Sequence, residues 1–236
     1  MVVTFLKGFV VVIATGLLSI VAIGASLVQK SGRMYHTIGR TWAKLICRLY
    51  GIKVVVHGTE HIEPTKQYIY VSNHASMFDI PAVMAGIPDQ IRIVLKSELT
   101  RIPVFGWCLA LGPYVVIDRA DPRDAMRSIE EAAARIRGGA SVLLFAEGTR
   151  TVSGKLQSFK RGAFALAAKS GVPIIPVAIN NTFRILPKGS LRVQPTDISV
   201  VLDKPIATLG INGKESEKKL MEDVHRAIEN NYIDQS

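Results

Sequence analysis

His74 and Asp79 lie five places apart in the stretch Asn73-His74-Ala75-Ser76-Met77-Phe78-Asp79, and they are the residue types that general-base chemistry needs. An imidazole takes a proton near neutral pH when a carboxylate holds its other ring nitrogen and fixes the tautomer. The spacing restricts how they can meet. On one continuous helix an offset of five turns two side chains about 140° apart. His74 therefore has to sit in a loop, with Asp79 in the first turn of the helix that follows. The plainer alternative is a helix-capping turn beside a histidine that only packs. Ser76 allows a third arrangement, a nucleophile served by His74. The Gly-x-Ser-x-Gly turn that exposes such a serine is absent, however, and capping is the commoner role for serine here. One His and one Asp are too few ligands for a metal site.

A second group follows another apolar run: Phe145-Ala146-Glu147-Gly148-Thr149-Arg150. Gly148 permits a tight turn. The guanidinium of Arg150 presents a fork of donors that suits a phosphate. Shortly after it, Ser158-Phe159-Lys160-Arg161-Gly162 opens a predicted helix whose first amides favour an anion. Glu147 and Arg150 could instead pair with each other and clasp the turn. Lys96 and Arg119 each follow a predicted strand and, taken singly, read as solvated charges.

These residues need a scaffold, and the chain supplies an alternation of β-branched runs and helical stretches. Strands are predicted at 52–57, 68–71, 91–95, 114–117, 141–145, 173–179 and 198–202. Helices are predicted at 78–85, 104–110, 122–137, 159–170 and 215–230. The helix at 122–137 has Pro122 in its first turn and Gly138-Gly139 at its end. This order predicts an α/β fold with a mostly parallel central sheet flanked by helices. Both groups then fall after strands, where the loops of open α/β sheets collect functional residues.

The start of the chain is of another kind. Residues 8–28 carry no charge, and the run is long enough to cross a hydrocarbon core of about 30 Å as a helix. It is longer than the apolar part of a secretory signal, and a fully buried core helix is the remaining alternative. Lys30, Arg33, Arg40, Lys44 and Arg48 follow the run and only Lys7 precedes it. A spanning helix would then leave the remainder on the cytoplasmic side. Residues 33–50 read as a basic amphipathic helix with Trp42, Leu45, Ile46 and Leu49 at helical spacing, suited to a headgroup layer. A span and a hairpin sunk in one leaflet both fit. The expected division is a membrane-anchoring pair at 1–50 and a catalytic domain at 51–236.

The net charge of +10 points to nucleic acid, anionic lipid or an acidic partner. No zinc-finger spacing, aromatic RNA-binding strand or dense basic block is present, which argues against nucleic acid. Beside a hydrophobic anchor, anionic headgroups account for the charge better. Cys47 and Cys108 are isolated, as in a reducing compartment without a disulfide framework.

The order NHASMFD, KSELTRIPVFGWCLALGPYVVIDR, FAEGTR with SFKRGAF, and VPIIPVAI resembles the four blocks of the glycerolipid acyltransferase family, and within it the 1-acyl-sn-glycerol-3-phosphate acyltransferases. The resemblance runs from about residue 50 to 205, and His74, Asp79, Glu147, Gly148, Arg150 and Pro176 each match. It implies a glycerol-3-phosphate acyltransferase-like fold with His74 and Asp79 as catalytic dyad. It implies a phosphate site at Arg150, shaped by Glu147, Gly148 and Thr149, and a role for Lys96 at the phosphate or the reacting centre. The reaction implied is acyl transfer from acyl-coenzyme A or acyl-acyl carrier protein to the sn-2 hydroxyl of lysophosphatidic acid. No covalent intermediate, metal or organic cofactor is implied, and the acyl carrier is a cosubstrate. An N-terminal helical pair in contact with membrane lipids also belongs to the resemblance, with the bacterial inner membrane as the expected setting. Transfer to another lysophospholipid or to glycerol 3-phosphate, hydrolysis of the thioester, and lipid binding without turnover stay open at this point.

Overall fold

The computed structural model describes residues 2–117, 130–134, 136 and 139–234. Two helices come first, α1 (Val2–Val28) and α2 (Arg33–Tyr50). They are followed by β1 (Val54–His57), β2 (Ile69–Ser72), α3 (Asp79–Gly86), β3 (Ile91–Lys96), α4 (Phe105–Leu111) and β4 (Val115–Ile117). After residues 130–134 and 136, which are helical, come β5 (Ser141–Phe145), α5 (Gly162–Ser170), β6 (Ile174–Asn180), α6 (Thr182–Ile185), β7 (Ile198–Leu202) and α7 (Lys214–Asn231). The predicted elements recur with ends displaced by up to about three residues. The larger part of the predicted helix at 122–137, and Arg119, lie outside the described residues.

Among the described residues the strands form one seven-stranded sheet in the order β1-β7-β6-β2-β5-β3-β4. The five from β6 to β4 run parallel, β7 is antiparallel to β6, and β1 is parallel to β7. The sheet is thus mostly parallel, as predicted. Side chains alternate across it with the period of two that an extended chain imposes. On β2 and the residue before it, Tyr68 and Tyr70 enter the core shared with α1 to α4, while Ile69 and Val71 enter the core shared with α5 and α7. Both faces are covered, which is why the central strands are apolar throughout.

α2 departs from its expected posture. Tyr35, Ala43, Ile46, Cys47 and Tyr50 are buried, and the helix packs on α1 and α3. Leu45 is exposed, and Trp42 donates from Nε1 to Thr15 Oγ1 of α1 at 2.9 Å. Its apolar stripe is therefore spent mainly on protein, while Arg33, Lys44 and Arg48 face outward. Gly51 ends it in the left-handed conformation at φ 70°, returning its amide to the last turn. α1 differs. Residues Phe5–Val28 are long and apolar enough to cross a membrane, with mean hydropathy 2.4 and only 17% of the window buried. Phe5, Phe9, Val12, Leu17 and Ile20 all lie open.

Candidate active site

β2 and β5 are neighbours, and their register sets Ser72 opposite Phe145. The residues just past the two strands, His74 and Glu147, therefore emerge side by side at the carboxyl edge of the sheet. Asn73 anchors the first loop to β6: its side-chain amide donates to Ile179 O at 3.0 Å, and Oδ1 accepts from Ile179 N at 2.8 Å. Asp79 opens α3 with its carboxylate turned back into that loop. Its Oδ2 accepts from His74 Nδ1 at 2.7 Å, Ala75 N at 2.7 Å and Ser76 N at 2.9 Å. Asp79 is fully buried, His74 is partly exposed, and the imidazole stacks on Phe145 at 4.1 Å. Nδ1 carries the proton toward a carboxylate, so Nε2 is left with its lone pair and has no hydrogen bond among the described residues. This is the loop-then-helix arrangement that the spacing requires. It holds a base by one edge and leaves the other open.

Glu147 does not clasp Arg150. Its Oε1 accepts the His74 amide at 2.7 Å, and its Oε2 accepts from Gln157 Nε2, which also donates to Thr149 O at 3.1 Å. Glu147 is buried, and burial raises its carboxyl above the ordinary value, opposed by these two donors. Thr151 N returns to His74 O at 2.9 Å. The segment 147–151 thus grips the backbone of His74 at both its amide and its carbonyl. Gly148 turns it at φ 76°, where a side chain would be strained.

Arg150 and Thr149 lie on the outer part of this turn, Thr149 exposed and Arg150 half-buried. The Arg150 guanidinium makes no ion pair or hydrogen bond among the described residues. Lys96 ends β3 at the same edge of the sheet, but its ammonium is paired with Glu98, and no hydrogen bond joins it to the dyad. The predicted anion site at 158–162 is partly engaged within the protein. The Lys160 amide donates to Ala146 O at 2.7 Å and the Arg161 side chain pairs with Glu217 at 2.6 Å. Ser76 is not placed as a nucleophile either. Its hydroxyl donates to Leu186 O at 2.9 Å and caps the amide of Phe78. Among the described residues no cluster of His, Cys, Asp and Glu could hold a metal ion. Both cysteines are buried and free, and burial pushes the Cys47 thiol up to about 11.

Gln157 and Lys188 were missed by sequence reasoning. Gln157 sits ten residues past its partner in a loop, and Lys188, which reaches Thr149 Oγ1 at 3.3 Å, is 39 residues away from it. Neither has a local pattern to mark it. A narrow apolar cavity lies between the helical pair and the sheet. Thr15, Ala22, Trp42 and Leu109 are among its lining residues, together with Ile80 and Leu95, the chain neighbours of Asp79 and Lys96.

The acyltransferase family model matches residues 53–180. The chain is 34% identical over 177 residues to the chloroplastic 1-acyl-sn-glycerol-3-phosphate acyltransferase BAT2 of Brassica napus, covering 74% of this chain and 51% of that one. It is 34% identical over 173 residues to the 1-acyl-sn-glycerol-3-phosphate acyltransferase of Pseudomonas aeruginosa, covering 71% of this chain and 66% of that one. The chain spans about half the length of plant relatives it matches. The crystal structure of the 1-acyl-sn-glycerophosphate acyltransferase PlsC from Thermotoga maritima superimposes with a TM-score of 0.81 at 27% identity, covering 98% of this chain and 95% of that one. The likeness takes in the helical pair as well as the sheet. With the family model spanning both the His74 loop and the Arg150 turn, this chain belongs to the acyltransferase family.

Proposed function

We propose that the chain transfers a fatty acyl group from an acyl thioester to the sn-2 hydroxyl of lysophosphatidate, giving phosphatidate and a free thiol. The observation that carries this reading is the His74 imidazole, fixed through Nδ1 by Asp79 with Nε2 open, beside a turn that presents a guanidinium unpaired among the described residues. The names of the relatives support lysophosphatidate as the acceptor. Nε2 takes the hydroxyl proton as the oxygen attacks the thioester carbonyl. The tetrahedral intermediate collapses, the C–S bond breaks, and the imidazolium returns the proton to the departing thiolate. Asp79 stabilises the imidazolium while it lasts. No acyl-enzyme forms, which agrees with the engagement of Ser76 by Leu186.

A positioned base contributes about 10²–10⁴-fold, and holding both substrates in line adds several kcal/mol. Arg150 takes the acceptor's phosphate. Glu147 positions His74 and does not touch substrate, because both of its oxygens are engaged within the protein. Lys96, paired with Glu98, keeps N–H donors for a phosphate or the reacting centre. The apolar cavity receives acyl chain, with each methylene withdrawn from water contributing about 0.8 kcal/mol. Residues 1–50 anchor the enzyme at a membrane, and their basic flank sets the catalytic part on the cytoplasmic side. The donor is acyl-coenzyme A or acyl-acyl carrier protein, and neither requires a resident cofactor.

The test is thiol release by detergent-purified protein given an acyl thioester. Release that requires lysophosphatidate and equals the phosphatidate formed is the expected result. Release without acceptor means a thioesterase, and faster release with another lysophospholipid or glycerol 3-phosphate means a sister transferase. No release means a lipid-binding protein.

A further inference from the structure

The turn that carries Arg150 has a second cation held against it. Lys188 belongs to the segment after α6, and its Nζ donates to Thr149 Oγ1 at 3.3 Å and to Arg150 O at 3.5 Å. The segment is held in place from the catalytic side. Ser76, next but one to His74, donates to Leu186 O at 2.9 Å, and the chain turns back at Ser190 N to Pro187 O at 3.0 Å. Lys188 is therefore attached both to the His74 loop and to the Arg150 turn, although it lies far from either in sequence.

The charges here do not balance. Neither Lys188 nor the Arg150 guanidinium pairs with a carboxylate among the described residues, whereas Lys66, Lys96, Arg161 and Lys169 each do. Glu147 is the carboxylate nearest in sequence, but it is buried and turned inward to His74 N and Gln157. Two cations at one turn without a carboxylate partner concentrate a positive field that an anion relieves. An ammonium with two long hydrogen bonds to neutral oxygens keeps a donor free for such an anion.

We propose that Lys188 binds substrate as the second cation of the phosphate site and, with Arg150, selects a phosphate monoester over a diester. This rests on the lysophosphatidate reading above. A monoester near neutral pH carries close to two charges, and a guanidinium fork and an ammonium answer one each. A diester has a single charge and little use for the second cation. Lys188 thus sets the acceptor class, while His74 and Asp79 set the rate.

The experiment compares wild type with Lys188→Ala and Lys188→Arg, using lysophosphatidate and lysophosphatidylglycerol as acceptors. Lys188→Ala should raise the KM for lysophosphatidate about 10-fold or more, as expected for losing a hydrogen bond to a charged group, with kcat within about twofold. The KM for the thioester should not move. Lys188→Arg should recover most of the loss, and the preference for lysophosphatidate over the diester should narrow in Lys188→Ala. An unchanged KM and an unchanged preference overturn the proposal. So does an equal fall in kcat with both acceptors, which would mark a purely structural clamp. Failure of the underlying reading looks different, because wild type then makes no phosphatidate. In that case, weaker binding of inorganic phosphate by Lys188→Ala than by wild type still supports a two-cation site, and equal or absent binding overturns it.

Discussion

Asp79 Oδ2 gathers three N–H donors, and only one belongs to a side chain that the proposed mechanism uses. The carboxylate therefore shapes the 74–76 loop and sets the tautomer of His74 together. Removing it would leave two amides unpaired, at about 1–3 kcal/mol for each buried group. Asp79→Asn separates these two duties from the charge. An Asn oxygen in the Oδ2 place can still accept from His74 Nδ1 and the two amides, but it carries no charge to stabilise the imidazolium. We expect kcat to fall by about 10²–10⁴-fold with a melting temperature close to wild type. Near-normal turnover in a folded Asp79→Asn would mean that the carboxylate's charge is irrelevant. At this scale the His74–Asp79 approach was legible in the sequence, because a five-residue offset leaves only a loop-to-helix geometry. The partner of Glu147 was not legible. Its charge suggested Arg150, but backbone amides such as that of His74 leave no trace in residue types. Gln157 and Lys188 depend on register between distant segments, which spacing cannot report.

At the scale of elements, the helical pair was legible as two helices but not in how it is used. The stripe on α2 suits either lipid or protein, and the structure applies most of it to α1 and α3. That packing buries His36 with neither ring nitrogen hydrogen-bonded among the described residues. Burial first, then Arg92 of β3 and Arg40 of α2, lower the His36 pKa from 6.5 to about 4, against an opposite pull from Asp89. The sign follows directly. The unfolded chain binds the proton more readily than the folded one, so stability is full above about pH 6.5 and falls as pH drops toward 4. His36→Leu should flatten the dependence of the melting temperature over that window. An equally steep fall in the variant would place the acid sensitivity elsewhere. The sheet was read more fully than the pair. Apolar runs separated by helices imply parallel strands covered on both faces, whereas the reversal of β7 and β1 depends on connections whose direction no local pattern encodes.

For the whole molecule, the exposed apolar surface is larger than residues 1–50 predict. α1 packs on α4, and Ile102, Trp107 and Leu111 at or beside α4 are open together with Phe5, Phe9 and Leu17. A monomer surface rarely keeps so many large apolar side chains on two packed helices in water. The part of the chain that follows α2 should therefore touch lipid as well. Trp107→Glu should lower flotation with anionic vesicles, with acyl transfer in detergent near wild type; unchanged flotation would confine the membrane contact to the first helix. The central claim remains that one imidazole does the proton transfer. Its most direct measurement is kcat for phosphatidate formation by His74→Ala, at saturating thioester and lysophosphatidate, in protein shown to be folded. A loss of about 10²–10⁴-fold with lysophosphatidate still bound is the predicted result, and turnover equal to wild type would contradict the account.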